Sequence, residues 1–393
     1  MTAVLQRSVC IIGAGPSGLL LSHLLHLHGI SSIVLERQTR EYVESRVRAG
    51  LLEEGSVAIL RNAGVADRLD RQALVHTGFR LRIDDDEFRF PFTDLSGRRA
   101  YMYGQQAVVH DLLAVHDAEA PEGVVFDVPQ VDISVDKETA RVRGCVNASD
   151  VEISCDFVVG CDGFHGISRR SIPAGIATQY DYAYPIAWFG ILAESPPSTD
   201  ELIYSVQSSG FALHSMRSPA ISRLYLQVRP GTTRDSLTED QIWAELDARL
   251  LEPGDRLVRG PIIESTVVTM RSFMCEPMSY RRLFLVGDAA HIVPPSAAKG
   301  LNLAVADAAL LADAMACWYD AGSRELLDSY AEVAGRRAWL GQEFSAVMTD
   351  LLHELDSDTA YERRLRRARL HRLARMDSAA KSFADSYVGA NRD

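Results

Sequence analysis

Lysine is nearly absent from this chain. Lys137, Lys299 and Lys381 are the only three among 41 lysines and arginines. A cation that faces a ligand or a buried acid is therefore expected to be an arginine fork. Cysteine is scarce as well, six in 393 residues, and the two nearest in sequence, Cys155 and Cys161, lack metal-site spacing. This excludes a disulfide scaffold, supplies no metal ligand set, and points to a reduced, cytoplasmic protein. No apolar run approaches the roughly 18 residues that span a bilayer, so no membrane partner is expected. The first residues, Met-Thr-Ala-Val-Leu-Gln-Arg, show no basic segment followed by a cleavable apolar one, which argues against secretion. Positive charge is in deficit: the net charge is -12, which makes nucleic acid a poor partner. An anionic small molecule would need a local cationic pocket against that background field. Hydrophobic residues at 47% and charged residues at 24% exclude a disordered chain, and the length suits two or three domains.

The N-terminal pattern is strand, tight turn, helix, strand. Val9 to Ile12 is apolar, Gly13-Ala14-Gly15-Pro16-Ser17-Gly18 follows, Leu19 to Leu27 has helical length, and Ile33-Val34-Leu35 ends at Glu36. This is a βαβ unit of the doubly wound kind. Gly13 makes the turn, Gly15 lets a pyrophosphate approach the backbone, and Gly18 lets helix and strand pack closely. The helix N-terminus faces the phosphates, and Glu36, eighteen residues beyond Gly18, can accept from ribose hydroxyls. The motif alone does not separate FAD from NAD.

Two further motifs follow strands. Gly160-Cys161-Asp162-Gly163-Phe164-His165-Gly166-Ile167-Ser168-Arg169 contains an Asp-Gly pair whose ordinary meaning is a turn. Gly287-Asp288-Ala289-Ala290-His291 leads through Pro294-Pro295-Ser296-Ala297-Ala298-Lys299 to Gly300-Leu301-Asn302 and a long Ala/Leu helix. An Asp at a strand end can hold a ribityl hydroxyl. A helix beginning at Gly300 presents free N–H groups and a positive dipole end, which suits the pyrimidine edge of a reduced flavin. Between these motifs the chain alternates as strands do. The expected architecture is α/β: a Rossmann-like dinucleotide domain over 1–180 with a substrate-side segment near 75–100, an antiparallel substrate sheet inserted over 181–270, and a return strand with a helical C-terminal part over 271–393.

These three motifs, in this order, resemble the single-component (class A) flavoprotein aromatic hydroxylases. The likeness extends to Leu35-Glu36-Arg37-Gln38-Thr39, Arg46-x-Arg48-Ala49-Gly50, Tyr103-Gly104-Gln105, Phe211-Ala212-Leu213-x-Ser215-x-Arg217, Ser222-Arg223-x-Tyr225 and Tyr387-Val388-Gly389. It covers essentially the full chain. In that family the pattern outside the flavin motifs is similar to members that hydroxylate 4-hydroxybenzoate.

The resemblance implies bound FAD, reduction by NADPH or NADH, and transfer of one oxygen atom of O2 through a flavin C4a-hydroperoxide to the ring carbon ortho to the phenolate, giving 3,4-dihydroxybenzoate. It implies a homodimer. It assigns FAD contacts to Gly13, Gly15, Ser17, Gly18, Glu36, Arg48, Gln105, Asp162, Arg223, Asp288, Lys299, Gly300, Leu301 and Asn302. The carboxylate would meet the planar fork of Arg217, with hydrogen bonds from Ser215 and Tyr225. Tyr204 would touch the phenol oxygen, near the carbonyl of Pro295, and pass its proton to Tyr387 and on to His76, a group whose ordinary pKa suits a relay to solvent. His110, His214 and His291 read as structural.

The nicotinamide has no second glycine-rich βαβ unit of its own. By resemblance it docks on Arg37, Gln38, Tyr42, Arg46, Arg48, His165 and Arg271. Arg40 stands where the family more often has proline, beside the acids Glu41 and Glu44, so NADPH and NADH both stay open. Ser296-Ala297 replaces the family's usual Thr-Gly, and the missing methyl group would loosen the substrate pocket. Two other readings compete. One is a different aromatic monooxygenase on the same scaffold. The other is a binding module built on residues 363–375, which carry seven arginines with Leu365, Ala368, Leu373 and Met376 along one helical face.

Overall fold

The apolar run after Ser8 forms the strand Val9–Ile12, buried at every position, and the glycine turn delivers the chain into helix Pro16–Leu27. A computed structural model describes residues 3–46, 50–146, 149–250 and 257–389. Val9–Ile12 pairs in parallel with Ser32–Leu35 on one side and Phe157–Gly160 on the other. Leu283–Leu285 and Val124–Val125 extend this sheet in parallel, and Ser279–Tyr280 closes one edge antiparallel. Its central strands are apolar at almost every position because both faces are covered, one by helices such as Pro16–Leu27 and the other by a second sheet. A four-stranded sheet, Ala3–Gln6, Ser149–Cys155, Ala140–Val146 and Val131–Val135, flanks it.

The second large sheet has eight strands, in the order His291–Ile292, Ile262–Glu276, Thr178–Ala193, Ile221–Val228, Gly210–Ser218, Leu202–Gln207, Phe79–Ile83 and Asp86–Phe90. All neighbours are antiparallel except Leu202–Gln207 and Phe79–Ile83, which run parallel. The segment near 75–100 thus supplies two strands of the substrate-side sheet. Neither expected boundary falls at an element end: 180 lies inside the 16-residue strand Thr178–Ala193, and 270 lies inside its partner Ile262–Glu276. The reason is that these two strands are continuous from one domain into the other.

Alternation gives the eight-stranded sheet two faces. Phe189, Ile191, Ala212, Leu224 and Leu226 pack with Trp243 and Leu246 of helix Glu239–Leu250. Trp188, Tyr204, Phe211, Leu213 and Tyr225 face the opposite way, toward Met102, Ala297, Phe344, Met348 and Tyr387. That second face is where the flavin-loop side and the C-terminal helices meet the sheet.

Helix Lys299–Ala321 is long and apolar enough to cross a membrane by length and composition, which corrects the expectation that no such stretch exists. Its apolar character serves burial on two sides, against helices Pro16–Leu27 and Glu325–Leu352. At Gly341 a Cβ would sit 2.8 Å from a methyl group of Leu303, so a larger residue there would have to displace that buried side chain. Helix Ala360–Arg375 starts with a capping box, Thr359 with Glu362, and helix Asp377–Tyr387 folds back over the substrate-side sheet.

Candidate active site

The first wall is the glycine turn. Gly13 has φ 105°, and a Cβ there would lie 2.5 Å from the Cys161 carbonyl. A Cβ on Gly18 would overlap the Gly13 carbonyl, while Gly15 has nothing within 4 Å of that position. The turn is therefore closed on the protein side and open on the other. Helix Pro16–Leu27 has no side-chain cap and no acid in its first turn, so its N–H groups face that opening. This is the form of a pyrophosphate cradle. Glu36 holds the turn in place: its carboxylate accepts from Ala14 N at 2.8 Å and from Gln38 N at 2.9 Å. Ser17 is buried within hydrogen-bonding reach of Cys161.

Asp162 lies across from the turn. Its Oδ2 accepts from both the N–H and the hydroxyl of Ser168 at 2.9 Å, and Gly166 leaves room for the carboxyl group. Its Oδ1 is buried without a partner, and burial pushes the carboxyl group's pKa up. Such an orphaned acceptor beside a cradle fits a hydroxyl-bearing cofactor. Asp288, half-buried, stands on the turn Gly287–Ala289. That turn is fixed by Asp307, which the sequence reading passed over. Asp307 Oδ2 accepts from Gly287 N at 3.2 Å and pairs with His291 Nε2 at 2.7 Å, both groups being buried. Burial works to lower the pKa of His291, but Asp307 more than compensates, and the net direction is up. Only the four-residue spacing of Asp307 from Leu303 on an otherwise apolar helix face signalled it.

The start of helix Lys299–Ala321 is held by two of its side chains. The ammonium of Lys299 donates to Glu53 Oε1 at 2.7 Å, Ser386 O at 2.6 Å and Tyr387 O at 2.7 Å. Asn302 accepts from Glu53 N at 2.9 Å and donates to Leu51 O and Ala298 O. These partners engage all three N–H donors of Lys299 and both of Asn302, so the two side chains brace the helix start whose free backbone N–H groups are the expected cofactor contact. The backbone N–H groups at Gly300 and Leu301 lie in the first turn of the helix and have no partner within it. Gln105, half-buried, sits at the N-terminus of helix Gln105–Glu119. Arg48 lies outside the described residues.

The substrate-side wall is one row across the sheet. Leu81, Tyr204, Leu213, Tyr225, Gly190 and Thr266 are successive cross-strand partners and share a face. One strand lies between those of Tyr204 and Tyr225, so two inter-strand spacings, about 10 Å, separate them. At one end the Tyr204 and Tyr387 hydroxyls are hydrogen-bonded at 3.0 Å, in a shell of Phe79, Phe92 and Phe383. Burial raises both phenols, Tyr204 to about 12 and Tyr387 well above its ordinary value. His76 is buried and its two ring nitrogens have no partner among the described residues, so no direct hydrogen bond joins it to Tyr387. Burial pulls its pKa down, with Glu201 opposing.

At the other end lie two arginines. Arg217 reaches Met102 Sδ at 3.0 Å and Met216 O at 3.5 Å, and its Nε is buried without a partner. It has no acidic partner among the described residues. Burial lowers the pKa of its guanidinium, Tyr225 opposing and Arg223 adding to the effect. Arg223 lies over the Tyr225 ring at 5.3 Å and donates to Thr266 Oγ1 at 3.1 Å, with Nε and one terminal nitrogen unpartnered. Gly190 makes room for both: a Cβ would come within 3.0 Å of Arg223 and 3.2 Å of Tyr225. The Ser215 hydroxyl donates to Arg223 O at 2.8 Å, so it clamps the strands rather than pointing at a ligand. The Pro295 carbonyl accepts from Ala298 N at 3.1 Å. The Ser296 hydroxyl faces Thr349 Oγ1 at 2.7 Å, away from the row, so the lost methyl group bears on helix packing instead of pocket width. His214 lies on the sheet's other face, where Ser198 N donates to it.

The nicotinamide candidates form two groups. Arg37 and Tyr42 are exposed beside Gln38 on the segment that enters helix Arg40–Ser45. Arg40 is captured by Asp117, at 2.8 Å through one nitrogen, and by Glu44 at 2.8 Å. Arg46 is exposed and partnered. The second group is His165, exposed against Phe164, and Arg271, which forks onto Asp181 and covers Phe164 at 4.2 Å. The arginine-rich helix is largely neutralised. Arg363, Arg366, Arg367, Arg369 and Arg375 each face an acid, among them Glu354, Asp358, Asp84, Asp350 and Asp86. That removes the cationic face a nucleic-acid module would need.

Residues 6–345 match a family described as an FAD binding domain. The chain is 39% identical over 387 residues to a p-hydroxybenzoate hydroxylase of Acinetobacter baylyi (strain ATCC 33305 / BD413 / ADP1), covering 98% of this chain and 96% of that one. It is 26% identical over 340 residues to a probable NADH-specific resorcinol 4-hydroxylase of Rhodococcus jostii (strain RHA1), covering 82% of this chain and 61% of that one. Among solved structures, a p-nitrophenol 4-monooxygenase from Pseudomonas putida DLL-E4 superimposes with TM-score 0.83 at 17% identity over the whole of both chains.

Proposed function

The chain belongs to the FAD-binding family that includes p-hydroxybenzoate hydroxylase, and from that membership and the site we propose that it hydroxylates 4-hydroxybenzoate at position 3. The product is 3,4-dihydroxybenzoate, and the co-substrates are O2 and a reduced nicotinamide. One observation carries the assignment of substrate: the Arg217 guanidinium, enclosed between Met102, Met216 and Tyr225, has no acid to pair with among the described residues. A buried unpaired cation is costly, and an aromatic carboxylate completes it with a planar two-point contact. The phenol end of such a ring then points along the row toward Tyr204.

Each residue has a part. Arg217 and Tyr225 bind and orient the acid. Ser215 holds the two strands in the register that sets Arg217 beside Arg223. Tyr204 accepts the phenol proton at its hydroxyl oxygen while giving its own to Tyr387, and His76, whose ring nitrogens have no partner among the described residues, takes a proton on toward solvent once a water bridges it to the phenol pair. The aromatic shell excludes water. FAD, when bound against the Gly13–Gly18 turn, supplies the oxygen activation that no side chain can. Arg223 places a cation at the flavin side of the row. At the coenzyme rim, the capture of Arg40 by Asp117 and Glu44 takes one cation out of reach of a 2′-phosphate and favours NADH. A higher kcat/KM with NADPH would reverse that part.

The chain acts as a homodimer in this reading. Leu326, Val333, Leu340 and Val347 recur every seven residues along the exposed side of helix Glu325–Leu352, with Trp339 packed on exposed Tyr180 beside them. A seven-residue apolar repeat is the seam of helix pairing, and a two-fold axis lays the same stripe on itself.

The decisive test adds 4-hydroxybenzoate to the FAD-loaded protein. A shift in flavin absorbance, and 3,4-dihydroxybenzoate formed on addition of NADH or NADPH in air, are the expected outcomes. Arg217→Lys weakens binding about 10- to 100-fold, because one fork geometry is lost. No shift and no product from the wild-type protein would overturn the assignment.

A further inference from the structure

Helix Glu325–Leu352 and its cap carry a buried polar line that the reaction above does not use. Ser345, Thr349 and His353 follow at four-residue spacing on the inward side, exposed by 0%, 2% and 1%. Thr349 donates its hydroxyl proton to Ser345 O at 2.7 Å, so the Ser296 hydroxyl, 2.7 Å away, donates to Thr349. His353 lies one turn on. Its Nδ1 is 2.8 Å from Thr349 O, and a carbonyl can only accept, so Nδ1 carries the proton. Nε2 is therefore a bare lone pair, and it receives the indole N–H of Trp188 at 2.6 Å. The imidazole is neutral and both its nitrogens are satisfied.

Trp188 belongs to the substrate-side face of the sheet. Its ring stacks on Phe211 at 5.3 Å and 18°, and lies 4.9 Å from Tyr225, the residue that backs Arg217 and Arg223. The same helix thus grips both the Pro295–Ser296 turn, through Thr349, and the aromatic wall of the row, through His353. We propose that His353 is a positioning residue for substrate recognition, fixing the rotation of the Trp188 indole and thereby the plane of Tyr225 against which the aromatic acid lies. This rests on the reading of the site given above. Without the acceptor, the buried indole N–H has no partner, and the ring tips to find one. Binding must then restore the wall before the substrate can seat.

The experiment uses the full-length FAD-loaded protein with His353→Leu, His353→Gln and His353→Asn. Glutamine places an amide oxygen near the position of Nε2; asparagine is too short to reach. Readouts are the Kd for 4-hydroxybenzoate, product formed per coenzyme oxidised, and the near-ultraviolet circular dichroism of the indoles. Leucine and asparagine are expected to raise Kd about tenfold, lower the product ratio with peroxide released instead, and change the indole signal. Glutamine should stay within about twofold of wild type. In a Trp188→Phe background, which has no N–H to satisfy, His353→Leu should add little further. Wild-type Kd and coupling in the leucine variant, even with a lower Tm, would overturn the proposal by reducing His353 to a purely structural role. So would a glutamine variant as impaired as asparagine. If the leucine protein does not fold, the glutamine–asparagine pair decides. Failure of the wild-type protein to bind 4-hydroxybenzoate strikes the substrate assignment, whereas the indole signal across the three variants still decides the rotation of Trp188.

Discussion

In the proposed reaction, Arg217 and the Tyr204–Tyr387 pair divide the labour between the two ends of the row. The arginine supplies a charge that burial makes expensive, and so selects an anion. The phenols, raised by burial, stay protonated at neutral pH and can exchange a proton along their 3.0 Å hydrogen bond without either carrying charge for long. Tyr387→Phe cuts that path while keeping the ring in the shell of Phe79, Phe92 and Phe383. Flavin reduction by the coenzyme should change little, whereas product per coenzyme oxidised should fall about tenfold, with hydrogen peroxide making up the difference. Stopped-flow reduction and a peroxide assay check the two halves. Unchanged coupling would take Tyr387 out of the proton path.

Elements succeed here where their chemistry is local and surprise where it is not. The glycine turn, the strand before it and the acid after the next strand were legible, because one βαβ unit contains every residue the pyrophosphate cradle needs. Gly18→Ala puts a Cβ into the Gly13 carbonyl, and the protein should purify without yellow colour and take up little added FAD. The ratio of flavin to protein absorbance measures it. The side-chain partners of Lys299 and Asn302 were not legible, because they lie far away in sequence: Glu53 lies 246 residues from Lys299, and Tyr387 O lies 88. The same holds for Asp307 under the Gly287 turn, Arg40 on Asp117, and His353 on Trp188, 165 residues apart. Periodicity shows that such residues are inside. It cannot show what each one finds there, since several buried acceptors satisfy the same donor equally well.

Across the whole molecule, four buried histidines set an acid limit. His76, His116, His214 and His353 are all pulled down by burial, the last two to about 4. The unfolded chain binds protons at these groups near pH 6.5 and the folded chain does not, so stability rises with pH through this window. Their contribution is present above about pH 6.5 and is lost as pH falls toward about 4. Thermal unfolding followed from pH 7 to pH 4 should show a falling Tm, and His214→Gln should flatten the slope. A flat profile in the wild type would contradict it. Association belongs to this scale too: Val333→Glu with Leu340→Glu should halve the sedimenting mass by charging the stripe on helix Glu325–Leu352, with little effect on flavin content.

The parallel pairing of Phe79–Ile83 with Leu202–Gln207 bears on any attempt to swap specificity between relatives. The recognition sheet is not a cassette that can be lifted out between two cut sites. A chimaera exchanging only residues 181–270 would set a foreign strand carrying Tyr204 against a resident neighbour shaped for another side-chain set. A mismatch there leaves unpaired backbone at a new edge, which invites aggregation. Grafts that carry 79–90 along with the rest keep that seam native.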